Sequence, residues 1–257
     1  WALQAQGYDA VKLRYPAVKK LAHTLREGNF HVFAAGLVEN NVLTVLDVTA
    51  DEQPMYGCAI DIGTTTVTGV LLDLKTGEIK AKASSGNGQI RYGADVINRI
   101  VEQQKPGGVA RLQDAIVKET LLPLIAVMCK AAGTATGRIL RMSIASNTTM
   151  NHLLLGVDAN PVRMEPYIPT FFRWDGLQAQ ELKLPANPAA QVRLAPNIGS
   201  YVGGDITAGA FTTGLWTQDE FSLFIDLGTN GEIVFGNRDF MMSCACSAGP
   251  AFEGGDI

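Results

Sequence analysis

Several things are scarce in this 257-residue sequence. Only 18% of its residues are charged and the formal net charge is −4. There is thus no general pull toward nucleic acid or an anionic membrane, and any anion must be held by a local site. Histidine occurs three times, never at metal-ligand spacing to the four cysteines, Cys58, Cys129, Cys244 and Cys246. No Cys-x-x-Cys pair occurs, so the cysteines read as small buried hydrophobes in a reducing cytoplasm. A redox role for Cys244-x-Cys246 is the weaker alternative. The longest apolar runs, such as Leu121–Met128 and Leu153–Val157, are far too short to span a bilayer. The opening Trp-Ala-Leu-Gln-Ala-Gln has neither a basic n-region nor an apolar h-region, so no signal peptide is expected there. A Gly-x-x-x-x-Gly-Lys-Ser/Thr loop is missing, which excludes a P-loop site. No Gly-x-Gly-x-x-Gly follows a strand, which leaves a dinucleotide fold without support. The sequence does not begin with Met, and it ends at Gly254–Ile257 within what reads as a structured turn. Both ends suggest a piece of a longer protein.

What is present is 47% apolar, enough to bury a substantial core. Residues 1–54 read as a small α+β unit. Ala17–Arg26 has helical periodicity, and Asn29–Val38 and Asn41–Val48 read as strands. Asp51-Glu-Gln-Pro54 marks a boundary, and two further segments follow, 55–218 and 219–257.

The second segment opens with alternation over Gly57–Gly63: Cys58, Ile60 and Ile62 on one face, Ala59 and Asp61 on the other. Thr64-Thr65-Thr66 breaks it. Strands over Val67–Leu74 and Ile79–Ser84 follow, joined through Lys75-Thr-Gly-Glu78 as an antiparallel meander. Val96, Ile97, Ile100 and Val101 suggest one apolar helix face, and Leu112–Ala132 a longer helix that Pro123 kinks or restarts. Leu140–Ala145 reads as a buried strand, then Ser146-Asn-Thr-Thr149 as candidate caps for a helix Met150–Leu155 closed by Gly156. Residues 158–196 hold six of the eleven prolines and read as an irregular excursion. Gly199–Gly204 leads to a helix from about Asp205 to Trp216.

The first pattern then recurs. Phe221–Leu227 alternates, with Leu223, Ile225 and Leu227 on one face and Phe224 and Asp226 on the other. Gly228-Thr-Asn-Gly231 breaks it, and Glu232–Phe235 returns as a strand. Asp61 and Asp226 are thus 226 − 61 = 165 residues apart, each preceding x-Gly-Thr in the same strand–turn–strand setting.

Such a turn can aim several backbone N–H groups into one concavity and so hold an anion without net positive charge. Glycine allows close approach, and threonine hydroxyls add donors. An aspartate beside phosphate needs a cation between them, which makes Mg²⁺ held through water the natural partner of Asp61 and Asp226. Candidate phosphate contacts are Gly63, Thr64, Thr65 and Thr66 in the first turn and Gly228, Thr229, Asn230 and Gly231 in the second. Asn147 and Gly204 stand at strand-to-helix junctions that also favour anions. Asp205 is either an N-cap or the carboxylate that orients an attacking water. Asp95 and Asp158 read as ordinary cap or turn residues.

Asp61-Ile-Gly-Thr-Thr-Thr between strands resembles the first phosphate motif of the acetate kinase, sugar kinase, heat-shock chaperone and actin superfamily. Asp226-Leu-Gly-Thr-Asn-Gly-Glu resembles its second, and Gly203-Gly-Asp-Ile-Thr-Ala-Gly-Ala its connecting helix. Within it, Tyr56–Thr66, Asn87–Ile100, Ser146–Gly156 and Ser247–Gly254 resemble the reductive activators of corrinoid proteins, and residues 1–56 resemble that family's middle domain. The resemblance implies an α/β fold: an actin/hexokinase-like (ribonuclease H-like) ATPase lobe over 55–218 and the start of a second lobe over 219–257. It also implies ATP and Mg²⁺ as cofactors, with Asp61, Asp205 and Asp226 catalytic and Asp61 and Asp226 at the metal.

The family couples ATP binding and hydrolysis to uphill electron transfer that returns a partner's cobalt from Co(II) to Co(I). The implied partners are a corrinoid protein and an electron donor, with a homodimer left open; nucleic acid and membrane are not expected. The electron passes through an iron–sulfur centre, typically a 2Fe-2S cluster in an N-terminal ferredoxin-like domain that these residues do not include. The cysteines here lack the spacing to ligate such a cluster, and the adenosine-binding motif is expected beyond residue 257. Two other readings stand beside this one: a small-molecule kinase with a substrate pocket near Ser247–Gly254, and a non-catalytic assembly module.

Overall fold

A computed structural model describes residues 3–228 and 230–246. Its first unit is a three-stranded sheet carrying one helix. Strand β1 (Ala10–Leu13) runs parallel to β3 (Val42–Thr49), which pairs antiparallel with β2 (Phe33–Glu39). Helix α1 (Tyr15–Glu27) has Pro16 in its first turn, where the missing N–H costs nothing, and it lays Ala17 and Leu21 against Leu43, Val45 and Val48. β1 was not expected from the sequence, because four residues are too few to show a period. Buried Asp47 receives the ammonium of Lys20 and, at 3.2 Å, the guanidinium of Arg138, which ties this unit to the next.

The central sheet has six strands in the order β6-β5-β4-β7-β9-β8. β4 (Tyr56–Ile62), β5 (Thr66–Asp73) and β6 (Ile79–Gly86) form the expected antiparallel meander. β7 (Ile139–Ser146) lies parallel to β4, and β9 (Gln191–Leu194) parallel to β7, with the two-residue β8 (Leu177–Gln178) antiparallel at the edge. Cys58, Ile60 and Ile62 of β4 are buried, whereas Asp61 is open. The alternation read from the sequence therefore separates core from cleft.

Helices α2 (Val96–Gln103), α3 (Gly108–Ile116), α4 (Leu122–Ala131) and α5 (Thr148–Leu155) join these strands, and the four-residue α6 (Asn160–Arg163) lies in the proline-rich excursion. Asp95 caps α2, its carboxylate accepting from the Asn98 N–H. The apolar face expected on α2 is buried only in part, with Val96 and Ile100 packed on the core. Ile100 is buried, but Ile97 and Val101 are exposed, and Arg99 and Gln103 go inward. The stretch Leu112–Ala132, expected as a helix that Pro123 kinks or restarts, is restarted there: α3 and α4 are joined by a π-helical turn at Val117–Leu121, and Pro123 lies in the first turn of α4. Pro123 supplies the reason: with no N–H to give and a ring that crowds the preceding turn, it enters at the start of α4 after the extra residue has shifted the register.

Helix α7 (Gly204–Thr213) touches β7 on one side and β10 on the other. Beyond it, β10 (Ser222–Leu227), β11 (Gly231–Gly236) and β12 (Met241–Cys246) form a separate antiparallel sheet. Phe224 and Val234 pack on Val202, Ile206 and Ala210. The opposite face carries Leu223, Ile225 and Leu227, which are 56%, 48% and 79% exposed. So the apolar face of β10 is the outer one, and the packed face is the one with Phe224 and Asp226. No helix among the described residues is long and apolar enough to cross a membrane.

Candidate functional site

The two Asp-x-Gly turns end strands of different sheets, and both open onto one cleft of about 270 Å³. From the first turn the cleft is lined by Asp61, Gly63, Thr64, Thr65 and Thr66, and from the second by Asp226, Gly228 and Asn230. Asp205, from the first turn of α7, and Asn147, the N-cap of α5, complete the wall between them. Ten of the candidate residues are thus brought together from four parts of the chain. Two others are not. Gly204 is buried with its N–H given to Asn197 Oδ1 at 3.1 Å, and a β-carbon there would stand 2.4 Å from the Ala195 carbonyl oxygen. Gly231 is buried at the start of β11, where its carbonyl accepts from Cys246 Sγ. Thr229 and the substrate pocket expected near Ser247–Gly254 lie outside the described residues.

Asp205 is not a cap. Gly203 holds the N-cap position of α7, and Asp205 Oδ1 accepts from the neighbouring Ile206 N–H at 2.8 Å. Asn147 does cap α5, its Oδ1 accepting from Met150 N, while its Nδ2 donates to Thr64 Oγ1 at 3.2 Å. The cap reading of Asn147 is thus met, and the same side chain also lines the cleft.

The acids of the cleft repel one another. Although Asp61 opens to the cleft, the surrounding walls strip water from its carboxylate, and this desolvation and then the nearby Asp226 raise it above the usual carboxylate range. Asp205 is pushed up to about 6, chiefly by burial and then by Asp61 and Asp226, against the Ile206 N–H that pulls it down. Glu232, on β11 directly across from Asp226, is pushed up to about 7 by burial, Asp205 and Asp226. No lysine or arginine lines the cleft among the described residues. Carboxylates and hydroxyls are hard oxygen donors, which suit Mg²⁺, and a divalent cation would relieve this repulsion. No three of the acids, cysteines and histidines described converge closely enough to ligate a metal directly. An iron–sulfur cluster does not fit: Cys58 and Cys129 are buried in the core, whereas Cys244 and Cys246 are exposed on β12.

Glu232 was missed as a site residue. The hairpin could have revealed it, since period-2 pairing across the turn puts it on the same face as Asp226. Asn87 and Arg99 were missed as well. Both are buried behind the first turn, donating to the carbonyls of Gly63 and Thr64 at 2.9 and 2.6 Å.

The C-terminal part of the chain, residues 220–257, matches the family model described as the C-terminal domain of RACo, the ASKHA domain, and residues 56–218 match that of the RACo middle region. The chain belongs to the RACo family. In that family's model the middle region falls on 56–218; of residues 1–56, which carried that label by resemblance, all but Tyr56 lie outside both matches. A corrinoid activation enzyme, RamQ, of Eubacterium limosum is 36% identical over 228 residues, covering 88% of this chain and 37% of its own length. A solved structure of a reductive activator for a corrinoid, iron–sulfur protein superposes with a TM-score of 0.87 at 42% identity, covering 96% of this chain and 40% of that one. The chain thus spans about two fifths of the length of the RACo relatives it matches. Its fold is the mixed α/β fold of the actin/hexokinase type expected from the sequence.

Proposed function

We propose that this chain is the phosphate-gripping portion of an ATP-dependent reductive activator that returns a partner's corrinoid cobalt from Co(II) to Co(I). The observation that carries the proposal is the cleft itself: two Asp-x-Gly turns from separate sheets facing each other, in a chain that belongs to the RACo family. Asp61 and Asp226 hold the hydration shell of Mg²⁺, whose charge offsets theirs when the ion accompanies ATP. Thr64, Thr65, Thr66, Gly228, Thr229 and Asn230 donate to phosphate oxygens from the two sides. Asp205, with its raised affinity for a proton, accepts from a water lined up with the terminal phosphate. Because α7 packs against both sheets, a nucleotide that draws the turns together shifts one sheet against the other, and that closure is what the corrinoid partner senses. The electron comes from a donor outside the described residues.

The test is anaerobic. Full-length protein, reductant, ATP and a Co(II) corrinoid protein encoded nearby are mixed, and the cobalt absorbance is followed. Co(I) appearing only with ATP supports the proposal; its failure to appear for every such corrinoid protein sinks it.

A small-molecule kinase is the second reading. It is favoured by a neighbouring cavity of about 320 Å³, lined by Thr149, Ser200, Tyr201 and Glu232 beside the cleft. ATP-dependent phosphorylation of a sugar or acid, with no redox partner present, would select it.

A further inference from the structure

The first phosphate turn is tied down from behind at three successive carbonyls. Asn87 Nδ2 donates to the Gly63 carbonyl at 2.9 Å, Arg99 Nη2 to that of Thr64 at 2.6 Å, and the Asn87 backbone N–H to that of Thr65 at 2.8 Å. In a trans peptide the carbonyl and the following N–H point in opposite directions. Fixing these three carbonyls toward the protein interior therefore turns the N–H groups of Thr64, Thr65 and Thr66 toward the cleft those residues line.

Arg99 brings a second property. It is fully buried, and its other partners are the Gly93 carbonyl at 2.8 Å, Gln89 Oε1 at 3.5 Å and Met150 Sδ at 3.3 Å. None of the groups it bonds among the described residues is a carboxylate. Burial pushes its guanidinium down only to about 10, so it stays charged at neutral pH. Its hydrogen-bond acceptors are all neutral, and the nearby Asp95 carboxylate offsets only part of the cost of burying the cation. That cost falls when an anion occupies the far side of the peptide it grips.

We infer that Asn87 and Arg99 are positioning residues of the phosphate site, Asn87 and Arg99 together aiming three N–H groups at the nucleotide and Arg99 adding a buried positive charge behind them. The inference rests on the ATP site proposed above. Neither residue touches the nucleotide; both act through the backbone of the turn.

The experiment compares full-length wild type with Arg99→Gln, Arg99→Lys and Asn87→Ser, measuring affinity for Mg²⁺–ATP and for adenosine. Arg99→Gln keeps an amide donor and loses the charge, and should weaken Mg²⁺–ATP roughly 10- to 100-fold. Arg99→Lys should recover part of that loss, and Asn87→Ser should show a smaller one. Adenosine, which has no phosphate for the turn, should bind every variant as it binds wild type. If wild type binds Mg²⁺–ATP and the variants bind it equally well, the inference is overturned. Equal losses for ATP and adenosine overturn it too, because a general loosening moves both. Wild type without ATP affinity would overturn the ATP site and this inference with it.

Discussion

Gly203 lies against the backbone of Asn147: a β-carbon on Gly203 would stand 2.4 Å from Asn147 Cα and 2.7 Å from Thr148 N. The junctions β7–α5 and β9–α7 are therefore interlocked, and the interlock sets how Asp205 on one faces Asn147 on the other. Gly203→Ala should lower stability by about 1–3 kcal/mol, since backbone rather than a flexible side chain must move. Gly199→Ala is the control, having nothing within 4 Å of its added carbon, and should stay within about 0.5 kcal/mol of wild type. Urea unfolding of the three proteins measures both. Equal midpoints would show that the junctions do not lock.

The same pair shows what the sequence could reveal. Gly203-Gly204 and Ser146-Asn-Thr-Thr149 were visible as strand-to-helix junctions because caps and glycines are local signals. That the two touch is a tertiary fact with no local signature. Asp61 and Asp226 were legible because the turn that carries each of them is written out twice. Arg99 was not, because helical periodicity picks out apolar residues, and α2 buries a guanidinium where Ile97 and Val101 were expected. Its role follows from a carbonyl 35 residues away, which no window on the sequence spans.

The acids of the cleft make a pH prediction. Asp205 and Glu232 hold their protons to about 6 and about 7 in the folded chain, against ordinary values of 3.8 and 4.5. Between those limits the native state binds more protons than the unfolded state, so stability falls as pH rises and is level again above about pH 8. Asp61, also raised, acts in the same direction. In metal- and nucleotide-free buffer, the variant Asp205→Asn/Glu232→Gln should gain on wild type in melting temperature steadily from pH 4 to pH 8. A gap that stays constant or shrinks would show that the acids do not burden one another. Mg²⁺ with nucleotide should stabilise wild type more at pH 8 than at pH 5, because the cation binds the ionised cleft.

The thiols should divide into two classes. Burial pushes Cys58 up to about 12 and also raises Cys129, and the thiolate is the reactive form. Cys244 and Cys246 are exposed on β12. Alkylation of native protein at neutral pH, read peptide by peptide, should modify Cys244 and Cys246 at least about tenfold faster than the other two. Similar rates for all four would mean that the core around β4 and α4 opens readily.

Thr120 sits within the π-helical turn that Pro123 imposes, and the turn makes use of it. Its buried Oγ1 donates to the Ala115 carbonyl at 2.8 Å and accepts from the half-buried Gly88 N–H at 3.0 Å. Gly88 follows Asn87, so this hydroxyl fixes the segment that buttresses the first phosphate turn. Thr120→Val has nearly the same shape but removes the partner of the half-buried Gly88 N–H, which should cost about 1–2 kcal/mol. Thr120→Ser keeps the hydroxyl and should lose much less. If Asn87 depends on this anchor, Thr120→Val should also weaken Mg²⁺–ATP binding while leaving adenosine alone. A stability loss with unchanged ATP affinity would show that Asn87 is held by its own bonds to Gly63 and Thr65. Denaturation midpoints and nucleotide titrations on the same samples separate the two outcomes.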